Sequence, residues 1–522
     1  MGVKQYGKNS AKFISLLNLI PFAILMIPLL GLIYSSIIED SKTMEILSYI
    51  LPTGRRLSLL IRSILLSISI SLTSLFIALF SALGLYNISI KNKRLADNIW
   101  RISILMLLLP SFIHSQSWWE TFGMLSFPTS GLLPAWWVCV MFFLPLPFTL
   151  IFLSLKAMDK DILEAAAVFF SPGAALFRVV LPTILPAIFS GGLLVFLLSL
   201  ADYSIPSIFS VNVYSLDIFA QFSVSGSVAD AFLYSLPLLF IASVVVILGL
   251  NLLKDISLTT KGDTTTKEEA ILLPSPVSLL TRVGLSILLI SIIIPSTNLI
   301  LGMMGSVNTV EHIKMGLSEL MNTLIISSGS LLISLPLSLS LGTQMSNKKL
   351  SSIAYFILIL PLIMPASLVG IGLIGIFNGS YWYNSIVMPS LAIAIRYAPV
   401  GALLYYSGIK GLDQEMISAR RVYQRSSLNG FCKILFPMIF PIILMAGLSI
   451  FILGTGEIGA TIMVLPPGFN TLSIKIYNYL HYGSSQVVSV LCWMLVTTIM
   501  IAVGMVKLGT FLTQKGHDNN DT

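Results

Sequence analysis

The sequence predicts an all-α membrane protein of about twelve transmembrane helices, built as two fused six-helix repeats with both termini in the cytoplasm. Three observations carry this prediction: an apolar composition, a series of long apolar segments, and a motif that recurs at a constant spacing. Of the 522 residues, 56% are hydrophobic and only 10% are charged, whereas soluble proteins carry about 25% charged residues. The composition indicates a chain solvated by the lipid bilayer, and despite the net charge of +8 no nucleic-acid partner is expected.

Twelve segments are long and apolar enough to cross a membrane, which takes about 20 residues of helix. Pro110 and Pro186 interrupt the third and fifth of them. The first follows three lysines but is longer than a signal-peptide core and has no small-residue cleavage site after it, so we expect an uncleaved first helix. The segments lie near 14–37, 59–85, 102–116, 135–155, 184–204, 231–253, 279–301, 320–343, 352–377, 385–408, 438–457 and 487–511.

The distribution of lysine and arginine predicts the orientation, because cytoplasmic loops are enriched in both residues. With the N-terminus inside, 23 of the 30 basic residues fall in cytoplasmic segments and 6 in outer ones, and Arg396 lies within a span. The opposite orientation would invert this ratio. We therefore expect a multi-pass protein of the cytoplasmic (inner) membrane with both termini in the cytoplasm.

A repeat divides the chain, and repeats of this kind reveal the architecture. Pro182 and Pro437 are 255 residues apart, and the same shift places Asp202 on Glu457. The stretch between the sixth and seventh segments is polar and rich in Thr, Lys and Glu. These features predict a first transmembrane repeat over 1–253, a cytoplasmic linker over 254–278 and a second repeat over 279–522, related by an axis along the membrane normal.

A short motif lies between the fourth and fifth segments, on the predicted cytoplasmic side. The sequence there runs Glu164-Ala165-Ala166, then Ser171-Pro172-Gly173, then Leu-Pro. Small alanine side chains allow close approach of a partner, Glu164 is expected in the opening turn, where it favours the helix dipole, and Ser-Pro-Gly breaks the helix. In the second repeat the triplet is Ser418-Ala419-Arg420.

This motif resembles the EAA loop of binding-protein-dependent ABC importer permeases, and the stretch 454–483 resembles the corresponding end of fused, two-domain permeases of the ferric-iron type. The resemblance implies a permease that moves a small solute, with ferric iron as the first expectation and thiamine, molybdate, phosphonate or sulfate as alternatives. It also implies two partners: an ABC ATPase subunit in two copies, which docks on the loops, and an extracytoplasmic solute-binding protein. Both triplets lack the glycine that usually follows in the family.

Three charged residues are candidates for the translocation path. Asp202 and Glu457 occupy equivalent positions at the ends of the fifth and eleventh segments, and Arg396 is the basic residue within a span. Carboxylates at such positions are costly and usually face a water-filled cavity, where they suit a cationic substrate. The alternatives are that each carboxylate caps a broken helix, and that Arg396 either contacts an anion or pairs with Glu457.

Several other functions are disfavoured by the residues present. The four histidines and three cysteines do not cluster at metal-ligand spacing, so no metal site and no cofactor are expected. The N-terminal Gly2 to Asn9 stretch lacks the Ser/Thr of a P-loop, so ATP hydrolysis is expected in a partner and the chain is not expected to be an enzyme. A secondary transporter remains the alternative, although such proteins usually depend on more buried ionisable residues than this chain offers.

Overall fold

The computed structural model describes residues 18–38, 51–254, 271, 273–306, 308–347, 351–412, 436–481 and 485–518, and these residues form helices without any strand. Within the described residues of the first half there are ten helices: α1 Ile20–Ile38, α2 Gly54–Lys91, α3 Lys93–Leu108, α4 Ser111–Met124, α5 Leu132–Lys156, α6 Lys160–Phe169, α7 Pro172–Ala201, α8 Ser204–Ile208, α9 Tyr214–Ser225 and α10 Val228–Lys254. The described part of the second half contains nine: α11 Ser275–Met304, α12 Thr309–Asn347, α13 Ser352–Ile363, α14 Ala366–Phe377, α15 Val387–Lys410, α16 Phe436–Thr455, α17 Thr461–Val464, α18 Leu472–His481 and α19 Ser485–Asp518.

Ten of these helices are long and apolar enough to span a membrane, and two bent pairs raise the number to twelve when each pair counts as one span. The ten are α1, α2, α5, α7, α10, α11, α12, α15, α16 and α19. The predicted all-α membrane fold is therefore confirmed. The helices α2 and α12, of 38 and 39 residues, each extend over almost 60 Å, so both reach beyond a hydrocarbon core of about 30 Å.

The two bent pairs correspond to the third and ninth predicted segments. The axes of α3 and α4 differ by 101°, and those of α13 and α14 by 105°. In both pairs the break is a residue in extended conformation followed by proline, Leu109-Pro110 in one and Met364-Pro365 in the other. The proline ring disfavours helical geometry in the residue before it. Each segment therefore forms a broken span or a re-entrant loop, and the interruption that Pro110 predicts is sharper than a kink.

The helices of the two halves begin at nearly constant spacing. Both α1 and α11, starting at Ile20 and Ser275, and α2 and α12, starting at Gly54 and Thr309, are separated by 255 residues. A bent pair, two short helices after a long one, and a final long helix then follow in the same order in each half. This is the spacing that the sequence motif predicts.

The first helix of each half packs against the other half. In α1, Gly31 lies so close to α14 that an added methyl group would sit 1.9 Å from the carbonyl oxygen of Gly372. In α11, Gly284 faces α2, where a methyl group would lie 3.0 Å from the Cβ of Phe80. Glycine at such crossings allows two helix backbones to approach closely. The exchange of first helices interlocks the two halves.

Candidate coupling surface and central gate

The helix α6 carries the first-repeat motif. Asp159 caps its N-terminus by accepting a hydrogen bond from the amide of Asp161 at 3.1 Å, which is the usual role of an aspartate at this position. Leu163 and Ala166, three residues apart, are buried, whereas Glu164 and Ala165 are exposed. The helix therefore packs on the protein through one face and presents the acidic part of the motif to solvent.

The exposed side of α6 carries large apolar residues at its C-terminal end. Val168 and Phe169 are 78% and 79% exposed, and Phe177 in the first turns of α7 is 64% exposed. The chain leaves the helix at Phe169, and α7 begins at Pro172 with Ser171 as its N-cap residue, so the Ser-Pro-Gly sequence breaks the helix as expected. Large apolar side chains exposed together mark a site of interaction with a partner protein or with the membrane.

Two features of the motif differ from expectation or lie outside the description. Asp161, and not Glu164, occupies the first turn of α6, so the favourable interaction with the helix dipole belongs to Asp161. Glu164 lies in the following turn, because the helix starts earlier than the triplet suggests. The second-repeat residues Ser418, Ala419 and Arg420 fall between 412 and 436, outside the described residues.

The candidate path residue Asp202 lies in the turn between α7 and α8. Its carboxylate accepts hydrogen bonds from the Ser204 hydroxyl at 2.6 Å and from the amides of Ser204 and Ile205 at 3.2 and 3.3 Å. This is the geometry of an N-cap, since the side chain satisfies amides that have no partner within α8. The Asp202 carboxylate is therefore hydrogen-bonded to groups of its own turn.

Glu457 lies in the equivalent turn between α16 and α17. One carboxylate oxygen accepts from the amide of Ala460 at 2.9 Å, and the other accepts from the Tyr397 hydroxyl at 2.5 Å. The same oxygen lies 3.5 Å from Nε of Arg396 on α15, with side chains 4% and 16% exposed. Glu457 thus caps a helix and pairs with Arg396. The Nη1 atom of Arg396 is buried and has no hydrogen-bond partner among the residues that the structure describes.

Serine hydroxyls close the two turns in the same way. Ser215, the second residue of α9, donates to the carbonyl oxygen of Asp202 at 3.0 Å. Ser473, the second residue of α18, donates to the carbonyl oxygen of Thr455. Each bond satisfies a carbonyl at the end of a long helix, where no amide follows in the helix to bond it. Because serine is frequent in this chain, the sequence does not indicate that Ser215 and Ser473 have this role.

A second pair of hydrogen bonds fixes each short helix to the long helix of its half. The amide of Tyr214, the first residue of α9, donates to the Ser63 hydroxyl on α2 at 2.8 Å. The amide of Leu472, the first residue of α18, donates to Thr323 on α12, also at 2.8 Å. Both hydroxyls are buried. The two turns therefore have the same backbone frame, anchored at the same two places.

The turns of the two halves meet at the centre of the molecule. A methyl group on Gly459 would lie 3.3 Å from the ring and hydroxyl of Tyr203, and one on Gly456 would lie 2.5 Å from Pro110. The Ser207 and Tyr477 hydroxyls, one from each half, are 2.8 Å apart. Glycine at these points allows the two halves to approach closely. We call Asp202–Ser207 with Gly456–Ala460 the central gate.

Comparison with known proteins identifies the class. Residues 334–513 match the family described as "Binding-protein-dependent transport system inner membrane component". The matched residues include Arg396 and Glu457, and the match confirms the predicted resemblance to binding-protein-dependent ABC permeases but not its ferric-iron type.

One curated relative matches more weakly. The molybdate/tungstate transport system permease protein WtpB of Pyrococcus abyssi is 25% identical over 186 residues, which cover 34% of this chain and 74% of that protein. The relative is thus about half as long as this chain. The length of one such permease corresponds to one half of the molecule.

Proposed function

We propose that the chain is the complete membrane permease of an ATP-driven importer, with repeats 1–253 and 279–522 joined by the linker 254–278. The family match in the second half supports the permease role. The helix series repeated at a spacing of 255 residues supports the fusion of two domains, as does a relative of half the length. Both termini and the coupling loops face the cytoplasm in this proposal, following the distribution of basic residues.

The observation that carries the mechanism is the exposed apolar face of α6 beside the Glu164-Ala165-Ala166 triplet. A separate ABC ATPase docks there, and a second copy docks on the loop that contains Ser418, Ala419 and Arg420. ATP binding draws the two ATPase copies together and moves the loops, and the interlocked halves rock to open the central gate. A solute-binding protein delivers the substrate from the outside.

The ATPase contact is tested by removing the apolar surface. The double substitution Val168→Ser and Phe169→Ser should abolish co-purification of an ABC ATPase with the tagged permease, while the protein still inserts in the membrane. Val224→Ser in α9 is the matched control, because this valine is 87% exposed but lies at the opposite end of α7. ATPase recovery equal to wild type in the double variant contradicts the coupling assignment.

For the substrate, the central gate favours a small oxyanion. Both carboxylates, Asp202 and Glu457, are already occupied by backbone amides and side-chain donors, so neither offers a free ligand for a ferric ion. Among the described residues, Nη1 of Arg396 beside Glu457 is a buried donor without a partner, and guanidinium groups bind oxyanions well. The molybdate/tungstate relative agrees with this choice, whereas the expected ferric iron remains a prediction without support from the gate.

The substrate class is tested by competition. Cells that express the permease together with its ATPase and binding protein should accumulate labelled molybdate, and excess tungstate should compete for this uptake. Arg396→Lys retains the charge but loses the planar donor array, so uptake should fall at least tenfold with the protein still folded. Uptake of ferric iron or thiamine with no uptake of molybdate contradicts the oxyanion proposal and leaves the permease role intact.

A further inference from the structure

The linker ends in a segment that is fixed to the first half. Ile271, which precedes α11, is bonded twice by the side chain of Asn87 near the cytoplasmic end of α2. The Asn87 amide nitrogen donates to the Ile271 carbonyl oxygen at 3.1 Å, and the Ile271 amide donates to the Asn87 side-chain oxygen at 3.1 Å. One asparagine thus satisfies both backbone groups of one residue, as a neighbouring β-strand would.

The Ile271 side chain is buried beside the coupling loop. It is 7% exposed and belongs to the same apolar cluster as Leu163 on the inner face of α6 and Leu176 and Val180 in α7. Three residues further on, Pro274 caps α11, and its Cγ lies 3.6 Å from where a methyl group on Gly173 would be. Ile271 therefore contacts α2, and Pro274 lies against the start of α7 directly before α11.

The second half has a related but weaker contact. The residue 255 positions after Asn87 is Gly342, where a side chain would meet the Ala402 carbonyl oxygen at 2.9 Å and the Tyr405 ring at 2.7 Å. The amide is supplied instead by Gln344, whose nitrogen donates to the carbonyl oxygen of Asn18 at 3.1 Å, just before α1. The Gln344 contact has one hydrogen bond, whereas the Asn87 contact has two. The Asn87 contact is therefore the stronger of the two.

From this arrangement we infer that Asn87 is a positioning residue that holds Ile271, and with it Pro274, as a rigid tie between the first coupling loop and α11. The inference rests on the proposed function for the role of that loop. Because α11 is the first helix of the second half and packs along α2, a displacement of α6 and the start of α7 carries α11 with it. The first coupling loop thus moves elements of both halves, and the end of the linker is part of the transmission and not a passive tether.

The tie itself is tested without any partner. Asn87→Leu keeps the side-chain volume but removes both hydrogen bonds, and should speed hydrogen exchange at the Ile271 amide about tenfold, the equivalent of one lost buried hydrogen bond. Asn92→Ala is the control, because it removes a cap from the same end of α2 and α3 without touching Ile271. Equal exchange in Asn87→Leu and wild type overturns the tie.

Its rigidity during the cycle is tested with a cysteine pair, Gly173→Cys with Pro274→Cys, in a chain whose Cys432 is replaced by serine. Because an added Cβ at Gly173 would lie 3.6 Å from Cγ of Pro274, we expect oxidation to remove two thiols in most molecules, and addition of Asn87→Leu to lower that yield several-fold. ATP hydrolysis by the complex of permease and ATPase should be the same oxidised and reduced, because the bridged atoms move together.

Loss of hydrolysis on oxidation, restored by reduction, overturns the rigid tie, because the contact would then have to open in each cycle. A wild-type permease that binds no ATPase is a different result. It contradicts the proposed function, whereas the exchange and cross-linking measurements still decide whether the tie exists.

Discussion

The two halves anchor the backbone beside the central gate in the same way, but the ion pairs next to it place the acidic and basic residues on opposite helices. In the first half, Asp217 on α9 pairs with Arg55 on α2 at 3.1 Å. In the second half, Lys475 on α18 pairs with Glu319 on α12 at 2.8 Å. Asp217 and Lys475 each lie three positions after the residue whose backbone amide donates to the long helix. An ion pair therefore joins the short helix to the long helix at the same place in each half, but the acidic and basic residues have exchanged positions.

The gate turns differ in a similar way. Glu457 pairs with Arg396 of α15, whereas Asp202 uses the hydroxyl of its neighbour Ser204, and the corresponding stretch of α5, Phe142–Leu144, is apolar. Both halves use hydroxyl groups to bond the backbone of these turns, as acceptors at Ser63 and Thr323 and as donors at Ser215 and Ser473. The comparison indicates that backbone geometry constrains these turns tightly, while the charged partners can change as long as each buried charge is satisfied.

The largest effect is expected at the pair that only the second half contains. Arg396→Leu leaves Glu457 buried beside an apolar side chain, which costs about 3–5 kcal/mol of stability. Thermal unfolding of the purified protein in detergent should therefore show a clearly lower midpoint. The double variant with Glu457→Gln should recover most of the loss. Asp202→Asn, which neutralises the equivalent carboxylate of the first half without leaving an unpaired charge, should cost far less, and equal losses would show that the halves do not differ here.

A smaller effect is expected for the inverted pair of the second half. Lys475→Glu places two carboxylates together at a site where both side chains are less than 20% exposed, and should cost about 2 kcal/mol, as for a charged hydrogen bond lost at a partly buried site. Reversing both residues, with Glu319→Lys as well, gives this half the polarity found in the first half. Stability should return to near the wild-type value; a double variant no better than the single one argues against interchangeable polarity.

The smallest effect is expected for the first-half pair. Arg55 is 74% exposed, and pairs at such sites contribute about 0.5 kcal/mol because water and salt screen them. Arg55→Ala should shift the unfolding midpoint only slightly, and less still at high salt. A loss as large as that of Lys475→Glu would mean that exposure does not set the ranking of the two links.

Much of this architecture is visible in the sequence because it depends on local patterns. Apolar length predicts the spans, and the proline at position 110 predicts an interruption where α3 ends. The 255-residue spacing between Asp202 and Glu457 predicts two turns that the structure indeed makes alike. The capping and ion-pairing alternatives considered for Asp202, Glu457 and Arg396 describe the contacts that the structure contains.

Other features depend on contacts between distant residues and leave no local pattern. The exchange of α1 and α11 between the halves is one, since Gly31 and Gly284 are ordinary glycines in apolar segments. The hydroxyl bonds of Ser215 and Ser473 are another. The two hydrogen bonds between Asn87 and Ile271 join residues 184 positions apart. A single polar residue at the end of a long helix does not reveal such a partner.

The central claim is that one chain supplies both halves of the permease and therefore engages two ATPase subunits. Native mass spectrometry of the complex, purified in mild detergent through a tag on this chain, tests it directly. The account predicts one 57.0 kDa chain with two copies of a single ABC ATPase, and loss of at least one copy when Val168 and Phe169 are replaced by serine. A complex with two permease chains, or a permease that carries no ATPase, would contradict it.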